Sequence, residues 1–389
     1  MDGACPAEAK LVPAPGGGLE PDGPGWFVLN ARDAPWFGSA QFGCACVFEA
    51  RGGGEAAFAE FGFNLRVLEP GQACARYHGE TGQEGFLVLS GQALLLVEGE
   101  ERPLGPWDFF HCPSMTEHVL LGAGEGPCLV AALGTRPAGE VLRYPAHPLA
   151  ARHGAAAAAD TDSPAVAYAG CERPGPMPVP LAVLDTAFSA GTAGGPVHRA
   201  PSPAGGPRPE ARLVPSEQGG LEPVTPGWFV VNAAATRWQR LDEYGDWCTF
   251  EGRGDLHFPS LGINLHAVEP GQPNGRYHGE TAQEGFLVLS GEPILVIEGQ
   301  ERRLRPWDFV HCPSRTEHIF VGAGDGPSLL LMSGARPEEG SILYPVNATA
   351  ARLGASVAAQ TDDPGVAYAD RAPRYDIAPR ADLLPGARP

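Results

Sequence analysis

Lysine is nearly missing from this chain of 389 residues: Lys10 stands alone, and arginine supplies the rest of its 27 basic side chains. The skew reads as genomic base composition rather than chemistry. Positive charge is scarce altogether, with 46 Asp and Glu against those 27 and a formal net charge of −19. A surface that negative repels phosphate backbones, which argues against nucleic acid and anionic membranes as partners. Long apolar runs are missing too, since no stretch reaches the roughly 18 uninterrupted residues of a membrane span. The first ten residues, MDGACPAEAK, contain the acidic Asp2 and lead into no apolar run, so no secretory signal and a cytoplasmic location are expected. The nine cysteines (positions 5, 44, 46, 74, 112, 128, 171, 248 and 312) are an odd number without CxxC spacing and read as reduced thiols.

What the chain does have is glycine and proline, 53 and 41 residues, together about a quarter of the total. Both are costly inside helices, which favours a loop-rich or β-rich protein over a helical bundle. At 43% hydrophobic residues it can build proper cores, and at about 150 residues per domain its length predicts two or three of them.

Sliding the sequence against itself exposes a repeat. Residues 69–127 and 269–327 are 59-residue blocks with 41 identities and 18 differences. The offset of 200 holds from His78/His278 through Tyr144/Tyr344 to Tyr168/Tyr368. Upstream it becomes 202, where PGWFVLN at 24–30 matches PGWFVVN at 226–232. A unit of about 165 residues is too long for a solenoid repeat and suits a complete domain. The predicted organisation is a first domain at 10–171, a Pro/Gly-rich linker at 172–209, a second domain at 210–370 and a tail at 371–389. LAVLDTAF (181–188), inside the linker, is apolar enough to dock on a domain.

Within each unit the signals are short strands: FLVLSG (86–91), ALLLVEG (93–99) and WDFFHCP (107–113), with FLVLSG (286–291), ILVIEG (294–299) and WDFVHCP (307–313) in the second copy. Several are apolar on both faces, as expected where one face lines a barrel and the other meets a second sheet. Helix is predicted near 146–158 and 346–359 alone.

Residues two apart on a strand share a face, so Arg76, His78 and Glu80 point together. A turn then leads to Glu84, and His118 follows forty residues after His78. Arg276, His278, Glu280, Glu284 and His318 repeat the arrangement. The spacing His78-x-Glu80-x3-Glu84-x6-Gly91, followed by Asp108, Pro113 and His118, resembles the cupin superfamily, with Glu80 standing where the family has a second histidine. Asp308, Pro313 and His318 match in the second copy. The resemblance covers the central 60 residues of each copy.

It implies an all-β fold of two tandem cupin-type jelly-roll barrels packed as a pseudo-dimer, each holding a divalent metal near its mouth. The implied ligands are His78, Glu84 and His118, and His278, Glu284 and His318. Glu80 and Glu280 are fourth ligands or acid/base groups. Two imidazoles with one or two carboxylates suit Fe(II), Mn, Zn or Ni, and resemble the His/His/carboxylate site of non-haem iron oxygenases. Arg76 and Arg276 are candidates to clamp an anionic substrate, with a structural ion pair to Glu80 or Glu84 as the alternative.

Other residues read as structural. His111 and His311 are expected to satisfy a core or interdomain hydrogen bond, Cys112 and Cys312 to be buried, and Trp26, Trp107, Trp228 and Trp307 to anchor cores or interfaces. His147, His153, His198, His257 and His266 lack a counterpart in the other copy and read as incidental. The functional expectation is an Fe(II) oxygenase or dioxygenase acting on a small anionic organic molecule. The alternatives are a redox-neutral metal-dependent isomerase, decarboxylase or lyase, and a non-catalytic binding module. The expected partner is a small-molecule substrate, and homo-oligomerisation is left open.

Overall fold

The computed structural model describes residues 6–50, 58–189 and 208–385. Strand dominates it, and each half builds one eight-stranded antiparallel sheet and one three-stranded sheet. In the first half the large sheet runs, in spatial order, Gly175–Met177, Trp36–Ser39, Gly43–Val47, Phe61–Leu68, Cys128–Thr135, Glu84–Ser90 and Asp108–Cys112. Its small sheet is Glu100–Leu104, Gln92–Val97 and His118–Ala123. Glu84–Ser90 is buried at every position, as befits a strand sandwiched on both faces. Side chains from both sheets, among them Phe86, Val88, Leu95, Val97, Leu120 and Val130, form the barrel's own core. The second half repeats this layout, with a corresponding core around Phe286, Val288, Leu295, Ile297 and Phe320. Gly91, six residues beyond Glu84, turns the chain at φ 75°, and a Cβ there would lie 2.4 Å from the Pro127 carbonyl oxygen. Only glycine fits that turn.

The eighth strand of each large sheet comes from the other half. Phe229–Asn232 pairs with Asp108–Cys112, matching His111 with Phe229, while Phe27–Asn30 pairs with Asp308–Cys312, matching His311 with Phe27. Asn232 Nδ2 donates to Asp108 Oδ1 at 2.9 Å, and Asn30 Nδ2 donates to Asp308 Oδ1 at 2.8 Å. Between the sheets lies one apolar core drawn from both copies, including Leu87, Leu89, Leu287 and Leu289. Phe48 stacks on Phe309 at 4.3 Å, and Phe109 on Phe250 at 4.2 Å. The apolar outer face of each barrel is thus covered by its twin.

The expected helices are shorter than the alanine-rich stretches: Pro148–Arg152 and Ala348–Arg352. Both are capped at the N-terminus, by His147 Nδ1 accepting from the Leu149 amide and by Asn347 Oδ1 accepting from Thr349 and Ala350. His147, read as incidental, therefore has a capping role that Asn347 shares.

Strands extend into both segments read as linker and tail, with Gly175–Met177 on Trp36–Ser39 and Tyr375–Ile377 on Trp238–Leu241. Residues 190–207 of the linker stretch, His198 among them, lie outside the described residues. Its apolar segment forms the helix Leu181–Thr186 and docks against both halves. Leu184 enters the shared core and its carbonyl accepts from Trp307 Nε1. Phe188 lies between Trp107 and Trp307, with ring centroids 5.7 and 5.1 Å away.

Candidate metal centre

The centre is assembled from three strands that only the folded sheet brings together. His78 precedes the short strand Gly79–Glu80, Glu84 opens the strand Glu84–Ser90, and His118 opens His118–Ala123. An antiparallel bridge pairs His78 with His118, holding the ring centroids 4.9 Å apart. One donor atom each from His78, Glu84 and His118 lies within 4.8 Å of the other two, and His278, Glu284 and His318 repeat the cluster.

Both imidazoles are held in one tautomer. His78 Nδ1 is 2.8 Å from the Arg76 carbonyl oxygen, and His118 Nδ1 is 3.1 Å from that of Thr116. A carbonyl can only accept, so each Nδ1 carries the proton and each Nε2 turns a lone pair to the site, the arrangement that orients metal-binding histidines. His278 and His318 use the carbonyls of Arg276 and Thr316 in the same way. Glu84 Oε2 is 3.3 Å from His118 Nε2 yet has no hydrogen-bond partner among the described residues. Burial raises the Glu84 carboxyl to about 8, with the charge of Glu80 adding to it, and Glu284 is raised alike. Burial drops His118 to about 3. His78 goes the other way: burial lowers it, but Glu80 and Glu84 and the Arg76 carbonyl together outweigh that.

A buried carboxylate oxygen lacking a donor, facing two nitrogen lone pairs, is a donor set that fits a divalent transition metal. His78, Glu84 and His118 would hold one ion, and their counterparts a second.

Glu80 stands outside the three-donor cluster, with Oε2 3.7 Å from His78 Nε2; Glu280 is 3.9 Å from His278 Nε2. Glu284 is likewise 3.7 Å from His318 Nε2, so that distance is compatible with both readings of this residue, a fourth ligand or an acid/base group. The arginine expectation needs correction. Arg76 donates to the Gly154 carbonyl and to Cys171 Sγ, and Arg276 to the Gly354 and Ser356 carbonyls and Asp370. Neither forms the ion pair with Glu80 or Glu84, and Arg76 is not among the residues that line the cavity at the N-terminal centre. Only two residues form the strand after His78, so alternation does not extend back to Arg76.

The cavity at the N-terminal centre measures about 330 Å³ and holds a different cation, Arg66. Gly62, Asn64 and Arg66 line it from alternate positions of Phe61–Leu68, and Thr135, Arg136, Glu140 and Tyr144 complete the polar wall. The signal for Arg66 was present in the period of FGFNLRVL, but without the sheet nothing distinguishes the cavity face from the interface face. Cys112 and Cys312 are buried as expected, their thiols pushed far up by burial. His111 and His311 depart from expectation. They stack on Phe258 (3.9 Å, 7°) and Phe58 (4.1 Å, 14°) across the interface, and Nδ1 of each has no hydrogen-bond partner among the described residues.

The cupin domain family model matches residues 64–133 and again 264–334, the two blocks that carry these clusters. The chain carries two cupin domains, one in each half. No curated protein sequence matches it. Its fold is similar to that of several solved structures. The protein Ylba from E. coli shares 12% identity over 84% of this chain and 95% of that one, at a TM-score of 0.48. An oxalate decarboxylase from Lactobacillus farciminis in a formate complex shares 14% over 80% and 86%, at 0.50. A salicylate 1,2-dioxygenase from Pseudaminobacter salicylatoxidans shares 15% over 75% of each, at 0.44. At these identities the likeness is one of fold. No helix of the described residues is long and apolar enough to cross a membrane.

Proposed function

We propose that this bicupin is a metal-dependent enzyme, an Fe(II) oxygenase of the dioxygenase type, acting on a small organic anion. The observation that carries the reading is the three-donor cluster of two imidazoles and one carboxylate, repeated in both barrels. Three protein donors leave positions open for substrate and O₂. When bound, the metal supplies Lewis acidity and, as iron, access to O₂ chemistry.

The chain's own residues divide the remaining work. The Arg76 and Thr116 carbonyls hold His78 and His118 with Nε2 toward the open face. Glu84 contributes the negative charge that offsets a dication. Glu80, 15% exposed and beside His78, would hold or release a proton at the reacting face. Phe86 packs against His118 with its ring tilted by 57° at 5.3 Å and helps exclude water from the inner side.

One observation favours a second reading within the same site. Glu80 and Glu140 both face the cavity, and burial with the charge of Glu80 raises the Glu140 carboxyl. Two carboxyl groups beside a Lewis acid are also equipment for redox-neutral isomerisation, decarboxylation or lyase chemistry, with Mn or Zn.

Metal analysis after anaerobic reconstitution should give two transition-metal ions per chain, and His78→Ala and His278→Ala should each remove one. Iron-loaded protein exposed to nitric oxide should show a ferrous-nitrosyl EPR signal. Iron that does not respond would transfer the assignment to the redox-neutral reading, and protein that takes up no metal would end both.

A further inference from the structure

Arg66 belongs to two cavities. Besides the space at the metal centre it walls a larger one of about 730 Å³, and Cys74 and Tyr168 are common to both. The outer chamber adds the apolar side chains Phe37, Phe42, Ala45 and Val47. Arg66 Nη1 donates to the Cys74 carbonyl at 3.1 Å, which anchors the guanidinium at the junction. Its charge acts on Glu84, but among the described residues it forms no close ion pair, and one carbonyl contact leaves most of its five N–H donors for a ligand. A cation between a wet pocket and a chamber walled mainly by apolar side chains, with Glu172 and Arg173 also in its lining, is the recognition pattern for an acid group on an apolar body.

The repeat provides an internal comparison. Ala45 pairs in register with Arg66, and the matching pair in the C-terminal barrel is Trp247 with His266. Trp247 lies with its ring 5.7 Å from that of His266, over the place left open beside Ala45. His266 Nε2 is 2.7 Å from the Tyr244 carbonyl, and burial lowers the imidazole's pKa, so no fixed charge replaces Arg66. Ala132, opposite Phe86 and lining the inner cavity, becomes Met332 opposite Phe286, with its sulfur 3.8 Å from Asn274 Nδ2. The cation is lost, and a methyl group at each of two wall positions becomes a bulky side chain. Both three-donor clusters nonetheless persist.

We propose that the two chambers meeting at Arg66 form one ligand cleft for a monocarboxylate with an aromatic or branched apolar body. The N-terminal barrel alone binds it, and the C-terminal barrel keeps a metal site closed to it. This rests on the reading of the centre as an enzyme site for a small organic anion, and it narrows the substrate class and the active half.

The test is calorimetric titration of the metal-loaded full chain with phenylacetate, benzoate and isobutyrate, and with phenylacetamide as the neutral twin. At least one of the acids should bind with a stoichiometry of one per chain, and phenylacetamide should bind roughly tenfold or more weakly than phenylacetate. Arg66→His and Ala45→Trp transplant residues that the C-terminal barrel already carries. Each should weaken acid binding by roughly tenfold or more while metal content stays at two per chain. Two equivalents of acid, affinity unchanged in both variants, or no acid bound at millimolar concentration would overturn the proposal. Metal content and the nitric oxide response of the same samples separate the outcomes. If they hold and acid binding fails, only this cleft is wrong; if they fail, the enzyme reading falls first.

Discussion

A carboxyl group buried between two imidazoles must be protonated, paired or coordinated. Glu84 and Glu284 are held in that position, with carboxyl groups raised to about 8 from an ordinary value near 4.5. The linkage has a definite sign. A folded-state pKa above the unfolded one adds stability below about pH 4.5, and that stability is lost as pH rises through about 8. Metal-free protein should therefore lose thermal stability between pH 6.5 and 8, whereas metal-free E84Q/E284Q should stay nearly level there and melt a few degrees higher at pH 8. Thermal melts in the presence of a chelator check this; a wild type as flat as the variant would show that the carboxylates do not carry the strain. Cation and acid groups differ in how far residue spacing reveals them. The two histidines and Glu84 are separated by fixed motif distances, so their convergence could be anticipated. Arg66 belongs to no such spacing, and Arg76, which does, is drawn away by Gly154 and Cys171.

Strand alternation is the rule that both succeeded and failed at the scale of elements. It holds along Phe61–Leu68, where even positions face the cavity and odd ones the shared core. It breaks before His78, where the strand is two residues long. The Asp108–Cys112 and Asp308–Cys312 strands show a further consequence of being covered on both faces. Their histidines, His111 and His311, are pressed against Phe258 and Phe58, and burial lowers both to about 3. A depressed histidine pKa adds stability above about 6.5 that is lost as pH falls through 3, because protonation must then happen inside an apolar stack. H111F/H311F should shift the acid-unfolding midpoint to lower pH, followed by near-UV circular dichroism. An unchanged midpoint would place the acid sensitivity elsewhere.

Considered as a whole molecule, the two barrels form one continuously packed body. They trade edge strands, share a core in which residues of both copies touch, and clamp Phe188 between Trp107 and Trp307. Cutting them apart would expose a large apolar face and strip each large sheet of its eighth strand. Because Phe27–Asn30 and Phe229–Asn232 pair in the same register, a second N-terminal half can replace the C-terminal one. The fragment 1–189 expressed alone should form a homodimer by light scattering. A folded, stable monomer would show that the exchanged strands are dispensable.

Much of this was legible in one dimension. Composition argued against a helical bundle and against membrane-spanning helices, the 200-residue offset exposed the duplication, and two histidines and a glutamate at motif spacing marked each candidate centre. Those properties survive because they are local or periodic: strand propensity, turn glycines and ligand intervals are written along the chain. The tertiary structure alone decided the rest. Which half supplies each edge strand, which arginine faces the metal cavity, and why Trp247 and Met332 bear on the second barrel's pocket all depend on contacts between residues far apart in sequence. Such contacts are set by sheet register and packing, and no local pattern encodes those.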